Sequence, residues 1–262
     1  MTKITNLAKE RMQKGGIAIG LGVRVARTVD IGLLGATAGF DWLFIDNEHT
    51  SLDMSMTTEI ATAALGQGIT PIVRVPGKQH FHSTRVLDNG AQGIIVPHVE
   101  NAAEAKAIAD FSKFPPIGHR SISRASALVA FQDMPVREFV DAVNEATLVT
   151  VMIESPNAVD NADEIAAVPG IDCLLIGTND FCAEAGIHGQ YDHETTKEAY
   201  KRVIGACQKH GKFAGMAGIG SEAIMQMYVE MGAQLLLAGS DHSMILSGGK
   251  ARASFLRGVN GK

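Results

Sequence analysis

Phe40-Asp41-Trp42-Leu43-Phe44-Ile45-Asp46-Asn47-Glu48-His49 is an apolar run that ends in three ionisable side chains within four positions. From Trp42 to Ile45 apolar and polar residues do not alternate, as expected for a strand covered on both faces in a parallel sheet. Groups placed just past the carboxyl end of such a strand lie where α/β folds, open or closed, gather their active residues.

Working outward from this stretch, the same form recurs. The pattern predicts strands over 17–23, 42–45, 71–75, 93–96, 148–153, 173–176, 213–216 and 235–238. Candidate helices fall between them, among others over 54–65, 101–111, 157–167, 195–210 and 222–231. Regular strand and helix alternation implies βαβ units and a parallel sheet. Eight such units in 262 residues point to a closed (β/α)8 TIM barrel, with an open doubly wound sheet as the alternative. Residues 115–135 carry Gly118, His119, Arg120, Ser121, Ser123 and Arg124 without periodicity. They read as a lid or binding loop that shapes the substrate pocket. No linker or composition break interrupts the chain, so 1–262 is expected to form a single barrel domain.

Composition narrows the function. Apolar residues make up 46% and charged residues 19%, enough for a large core and too little charge for disorder. The net charge of −5 contains no basic run, which excludes nucleic acid and an anionic membrane surface as principal partners and favours a small molecule. Cys173, Cys182 and Cys207 are odd in number and lack CxxC spacing, arguing against a disulfide framework and a thiolate zinc site. Residues 1–15 lack the apolar core of a signal peptide, and no segment holds enough apolar residues to span a membrane. The expected location is the cytoplasm.

The ionisable groups collect at strand ends. Asp46, Glu48 and His49 follow the second strand, Arg74 the third, Glu154 the fifth, and Gly177-Thr178-Asn179-Asp180 the sixth. Glu154 and Asp180 come from adjacent strands. Two carboxylates side by side repel unless a divalent cation sits between them, and oxygen donors without Cys or His suit Mg²⁺ or Mn²⁺. Two protein ligands leave positions for water and for a chelating 2-keto acid. His49 is the candidate proton carrier, with Asp46 or Asp88 to accept its other ring proton. Arg74 offers a fork of donors to a carboxylate or a developing enolate, its bland alternative being a rim salt bridge. Gly218-Ile219-Gly220-Ser221-Glu222-Ala223 matches GxGxxA but follows the seventh strand, so an amide cluster for a substrate anion is favoured over a nucleotide site. His98 and His119 are candidates for lining the mouth, with surface or core packing as the default.

These motifs resemble the HpcH/HpaI aldolases, metal-dependent class II pyruvate aldolases that include 2,4-dihydroxyhept-2-ene-1,7-dioate aldolase. The resemblance runs from the first strand to the last. It rests on Asp46-Asn47-Glu48-His49 for DxEH, Val73-Arg74-Val75, Pro115-Pro116-Ile117-Gly118-His119-Arg120 for PPxGxR, Ile153-Glu154, and Gly177-Thr178-Asn179-Asp180 for GPxD. It implies a barrel of the phosphoenolpyruvate/pyruvate type in which Glu154 and Asp180 hold Mg²⁺, Mn²⁺ or Co²⁺, and the metal holds pyruvate. Backbone amides near Asn179 and Asp180 take the carboxylate, Arg74 stabilises the enolate, and His49 paired with Asp88 acts as acid and base.

The activity so implied is reversible cleavage of a 4-hydroxy-2-keto acid into pyruvate or hydroxypyruvate and an aldehyde. The resemblance also implies a homo-oligomer, typically a hexamer, with exchange of C-terminal helices. Met152 stands where relatives carry glutamine and Thr178 where they carry proline, departures that bear on substrate choice. Rival readings are a related metal-dependent lyase acting on a CoA thioester or decarboxylating oxaloacetate, and a non-catalytic keto acid binding protein. The aldehyde, the stereochemistry and the preferred metal have no readable signature.

Overall fold

The computed structural model describes residues 4–259. Its strands are β1 (Ala18–Val23), β2 (Trp42–Asp46), β3 (Thr70–Arg74), β4 (Gly93–Val96), β5 (Leu148–Ile153), β6 (Cys173–Gly177), β7 (Phe213–Ala217) and β8 (Leu235–Ser240). They pair in sequence order, all parallel, and β8 closes on β1 through Ala18 opposite Leu235. The closed (β/α)8 barrel is therefore the fold, and the open sheet is ruled out.

The helices are α1 (Leu7–Gln13), α2 (Asp30–Thr37), α3 (Met54–Gly66), α4 (His80–Asp88), α5 (Ala102–Ser112), α6 (Val136–Ala146), α7 (Pro156–Asp160), α8 (Ala162–Ala166), α9 (Thr178–Glu184), α10 (Glu194–Lys209), α11 (Glu222–Met231) and α12 (Asp241–Val259). Asp53, Asn101 and Ser155 cap α3, α5 and α7 by accepting from amides three residues on. The helix expected over 157–167 is broken in two. Asn161 ends α7 and turns its side-chain amide to the Glu100 carbonyl at 2.8 Å, favouring a turn over helix continuation.

The lack of alternation in β2 has a simple cause. Trp42 and Phe44 point into the barrel with Ile72, Ile95, Leu148 and Leu175, while Leu43 and Ile45 point out against the helices. Gly20 makes room for Trp42, since a Cβ there would lie 2.2 Å from the indole. The barrel interior is thus filled by side chains below the mouth, and space for a ligand opens only at one end.

Residues 115–135 do not form a lid over that end. Just before them, Lys113 is buried against the Thr147 and Asn144 carbonyls and Asp172, at the starts of β5 and β6. Phe131 borders a groove shared with Gly68 and Ile69, just ahead of β3. The segment follows α5, which has already carried the chain back to the amino-terminal end of the barrel, so the expected pocket-shaping role is corrected.

Candidate active site

The carboxyl ends of the strands surround a cavity of ≈ 410 Å³. Asp46 at the end of β2 and His49 just past it, Arg74 from β3, Met152 from β5, and Asn179 and Asp180 from α9 line it. Each group follows directly from a strand whose register is fixed by its neighbours: Asp46, for example, pairs with Arg74 across β2 and β3.

Arg74 is 8% exposed and each of its three guanidinium nitrogens meets a carboxylate. Its Nε and Nη2 donate to Asp46 at 3.0 and 2.8 Å, and its Nη1 lies 3.0 Å from Glu48. The guanidinium also sits over the Phe44 ring, 5.0 Å from its centroid. Burial by itself would raise the Asp46 carboxyl. The Arg74 guanidinium, with amide hydrogen bonds from His49 and Glu48, outweighs burial and holds it below the ordinary value. Arg74 is therefore a rim ion pair as well as a cation held rigidly at the mouth.

His49 is half-exposed at the mouth, and its Nε2 lies 4.0 Å from Glu48. Asp46 reaches His49 through the backbone amide at 3.2 Å rather than the ring. Asp88 does not reach His49 within the chain. It ends α4, at the amino-terminal end of the barrel, and its carboxylate accepts from Arg120 at 2.7 Å. His119 is exposed in the segment that carries Arg120, likewise away from the mouth. His98, with φ 53°, lies between acids: its Nδ1 is 3.3 Å from Glu154, its Nε2 is 3.7 Å from Glu48, and its backbone amide donates to Glu154 at 2.8 Å.

Glu154 is 2% exposed. Burial pushes its carboxyl up to about 7, Asp180 and Glu48 add repulsion, and His98 opposes them. Gly177 lies tight against it, since a Cβ there would come 2.5 Å from Glu154 Oε1. Only glycine leaves this carboxylate its place. A buried acid that resists ionisation beside a second acid, with oxygen donors alone, fits a hard divalent cation. Among the described residues no group of three or more His, Cys, Asp and Glu side chains gathers to hold a metal.

Thr178 fastens this segment from below. Its hydroxyl donates to the Ala217 carbonyl at 2.7 Å, which leaves Tyr200 OH to donate back at 2.8 Å. Tyr200 stacks on Tyr228, whose hydroxyl donates to the Tyr191 carbonyl, and the Tyr191 hydroxyl donates to Asn179 Oδ1 at 2.6 Å. All three tyrosines of the chain meet here. Gly218, with φ 86°, brings the loop after β7 against the Asn179 side chain. The GxGxxA stretch thus lines the mouth beside Asn179. Met152 is buried in the barrel interior under the cavity.

One role and one residue escaped the sequence reading. Glu48 is the acid common to Arg74, His49 and His98, a role that position alone does not show. Arg24, right after β1, also lines the mouth and lies 3.5 Å from Asp46. Its place at a strand end was the available signal.

No helix among the described residues is long and apolar enough to cross a membrane. The chain is 35% identical over 252 residues, 95% of its length and 93% of the other's, to a 4-hydroxy-4-methyl-2-oxoglutarate aldolase of Hapsidospora irregularis. It is 31% identical over 242 residues, 92% of its length and 93% of the other's, to a hydroxypyruvate/pyruvate aldolase of Roseovarius nubinhibens. The crystal structure of an HpcH/HpaI aldolase from Desulfitobacterium hafniense superposes with a TM-score of 0.91 at 27% identity, covering 97% of each chain. The model of the HpcH/HpaI aldolase/citrate lyase family matches residues 34–247, and to that family this chain belongs.

Proposed function

We propose that the chain is a divalent-metal-dependent aldolase, a carbon–carbon lyase that reversibly cleaves a 4-hydroxy-2-keto acid into pyruvate or hydroxypyruvate and an aldehyde. The observation that carries this reading is the buried Glu154 carboxyl close to Asp180 after adjacent strands, with Asp180 lining one cavity together with Arg74 and His49. Glu154 and Asp180 would hold Mg²⁺, Mn²⁺ or Co²⁺. When bound, the cation supplies Lewis-acid withdrawal of charge from the keto oxygen.

The chain's own groups do the rest. Asn179, oriented by Tyr191, and the amides beside it take the substrate carboxylate. His49 accepts the proton of the C4 hydroxyl as the C3–C4 bond breaks; the aldehyde carbonyl forms and the bonding pair passes to the enolate. Arg74, immobilised by Asp46 and Glu48, faces the oxygen on which charge develops. A proton returned to C3 completes the keto acid. Asp88 has no part in this scheme within the chain. We assign the reaction to one barrel domain spanning 1–262, in a cytoplasmic homo-oligomer, a hexamer by resemblance; exposed Ile245, Phe255 and Leu256 on α12 support association.

Proton NMR of pyruvate and of hydroxypyruvate in D₂O tests the reading. Metal-stripped protein should leave the C3 protons intact, and added Mg²⁺ or Mn²⁺ should exchange them, with no exchange in Glu154→Ala. Absence of exchange with both acids would overturn the assignment and favour a CoA-thioester lyase.

A further inference from the structure

Arg24 is the one basic group lining the mouth that the scheme above does not use. Its backbone is fixed: the Asp241 carboxylate at the start of α12 accepts from the amides of Arg24, Val25 and Ala26, the last two at 2.9 and 2.7 Å. Its side chain is 39% exposed and touches one acid, Nε lying 3.5 Å from Asp46. Nη1 and Nη2 have no acceptor among the described residues. Arg74 is the reverse case, with each guanidinium nitrogen already paired to Asp46 or Glu48. Of the two guanidiniums at the mouth, Arg24 is the one with a free fork.

Its position follows from the barrel order. β1 stands four strands from β5 in the closed ring, so Arg24 faces Glu154 from the far side of the mouth. Asp180 and Arg24 line the same cavity, so an acid held at its keto end by Asp180 has room to extend toward Arg24. A planar guanidinium pairs with a carboxylate through two parallel hydrogen bonds. A single free fork whose Nε already faces Asp46, with Arg74 committed, matches a monoanion; a phosphate dianion needs a second available cation.

We propose that Arg24 is a specificity-determining residue that receives the carboxylate of the carbonyl acceptor, so that the substrates are 4-hydroxy-2-keto diacids and the aldehyde or ketone released is itself an oxo-carboxylate. The proposal rests on the aldolase reading.

The test is condensation of pyruvate with glyoxylate and with acetaldehyde, an anionic and a neutral acceptor, in wild type, Arg24→Gln and Arg24→Lys. Wild type should prefer glyoxylate. In Arg24→Gln the ratio of kcat/KM for glyoxylate to that for acetaldehyde should fall about 50-fold, mainly through KM. Arg24→Lys, which keeps the charge but not the fork, should retain part of the preference. A ratio unmoved in Arg24→Gln, including an equal fall with both acceptors, overturns the assignment. Metal-dependent exchange of the pyruvate C3 protons in the wild type separates the two failures. Exchange with an unmoved ratio removes Arg24 alone, whereas no exchange removes the aldolase reading and the role of Arg24 with it.

Discussion

Glu154 couples site and stability. A carboxyl held near 7 in the folded protein against an ordinary 4.5 binds its proton more tightly when folded. Its contribution to stability is therefore present below about 4.5 and is lost as pH rises through 7. Metal-free Glu154→Gln should match wild type near pH 4 and be more stable at pH 8 by on the order of 3 kcal/mol, measured by urea denaturation. Because a metal needs the ionised form, metal affinity should weaken below pH 7, with proton release visible by calorimetry in buffers of different ionisation heat. Arg74→Ala should remove activity and also cost about 3 kcal/mol, since it strands the buried Asp46 and leaves Glu48 without its guanidinium. A denaturation midpoint equal to wild type would contradict that. At this scale the sequence disclosed which residues lie at the mouth better than it disclosed their partners. Asp88 illustrates why: the nine residues of α4 advance about 13 Å, enough to carry it away from His49.

Among the elements, the strands were legible because burial on both faces leaves an unbroken apolar run. The break between α7 and α8 was not, because it depends on Asn161 finding a carbonyl far off in sequence. Residues 115–135 looked like an active loop because of Arg120 and His119, yet Arg120 serves to hold α4. The ion pairs at the amino-terminal end belong to the framework. Burial lowers the Lys113 ammonium below its ordinary value even though Asp172 opposes the shift. Lys113→Met should cost about 2 kcal/mol, with Lys9 still paired to Asp172, and leave keto acid exchange unaltered. Thr178→Val should also cost about 2 kcal/mol by leaving Tyr200 OH without its acceptor, but here keto acid exchange should fall too, as Asp180 and Asn179 lose their anchor. Parallel denaturation and exchange assays on the two variants would distinguish them; equal exchange in both would sink this division.

On the scale of the whole molecule, barrel closure was legible from the number of units, whereas association was not, since it depends on which apolar side chains remain uncovered. Only Asp241 is buried on α12, and Met244, Ile245, Leu246, Phe255 and Leu256 are exposed. Light scattering should find a mass above that of one chain, and a monomer at micromolar concentration would refute the association. The Asp241 carboxylate seated in the amides of Arg24, Val25 and Ala26 has a further bearing on how the protein is made. The turn after the first strand emerges early from the ribosome, but its occupant emerges more than two hundred residues later, together with the strand that seals the ring. A growing chain therefore carries the acids and bases of the mouth before the carboxylate that fixes its first turn, and the strand that closes the ring, have been made.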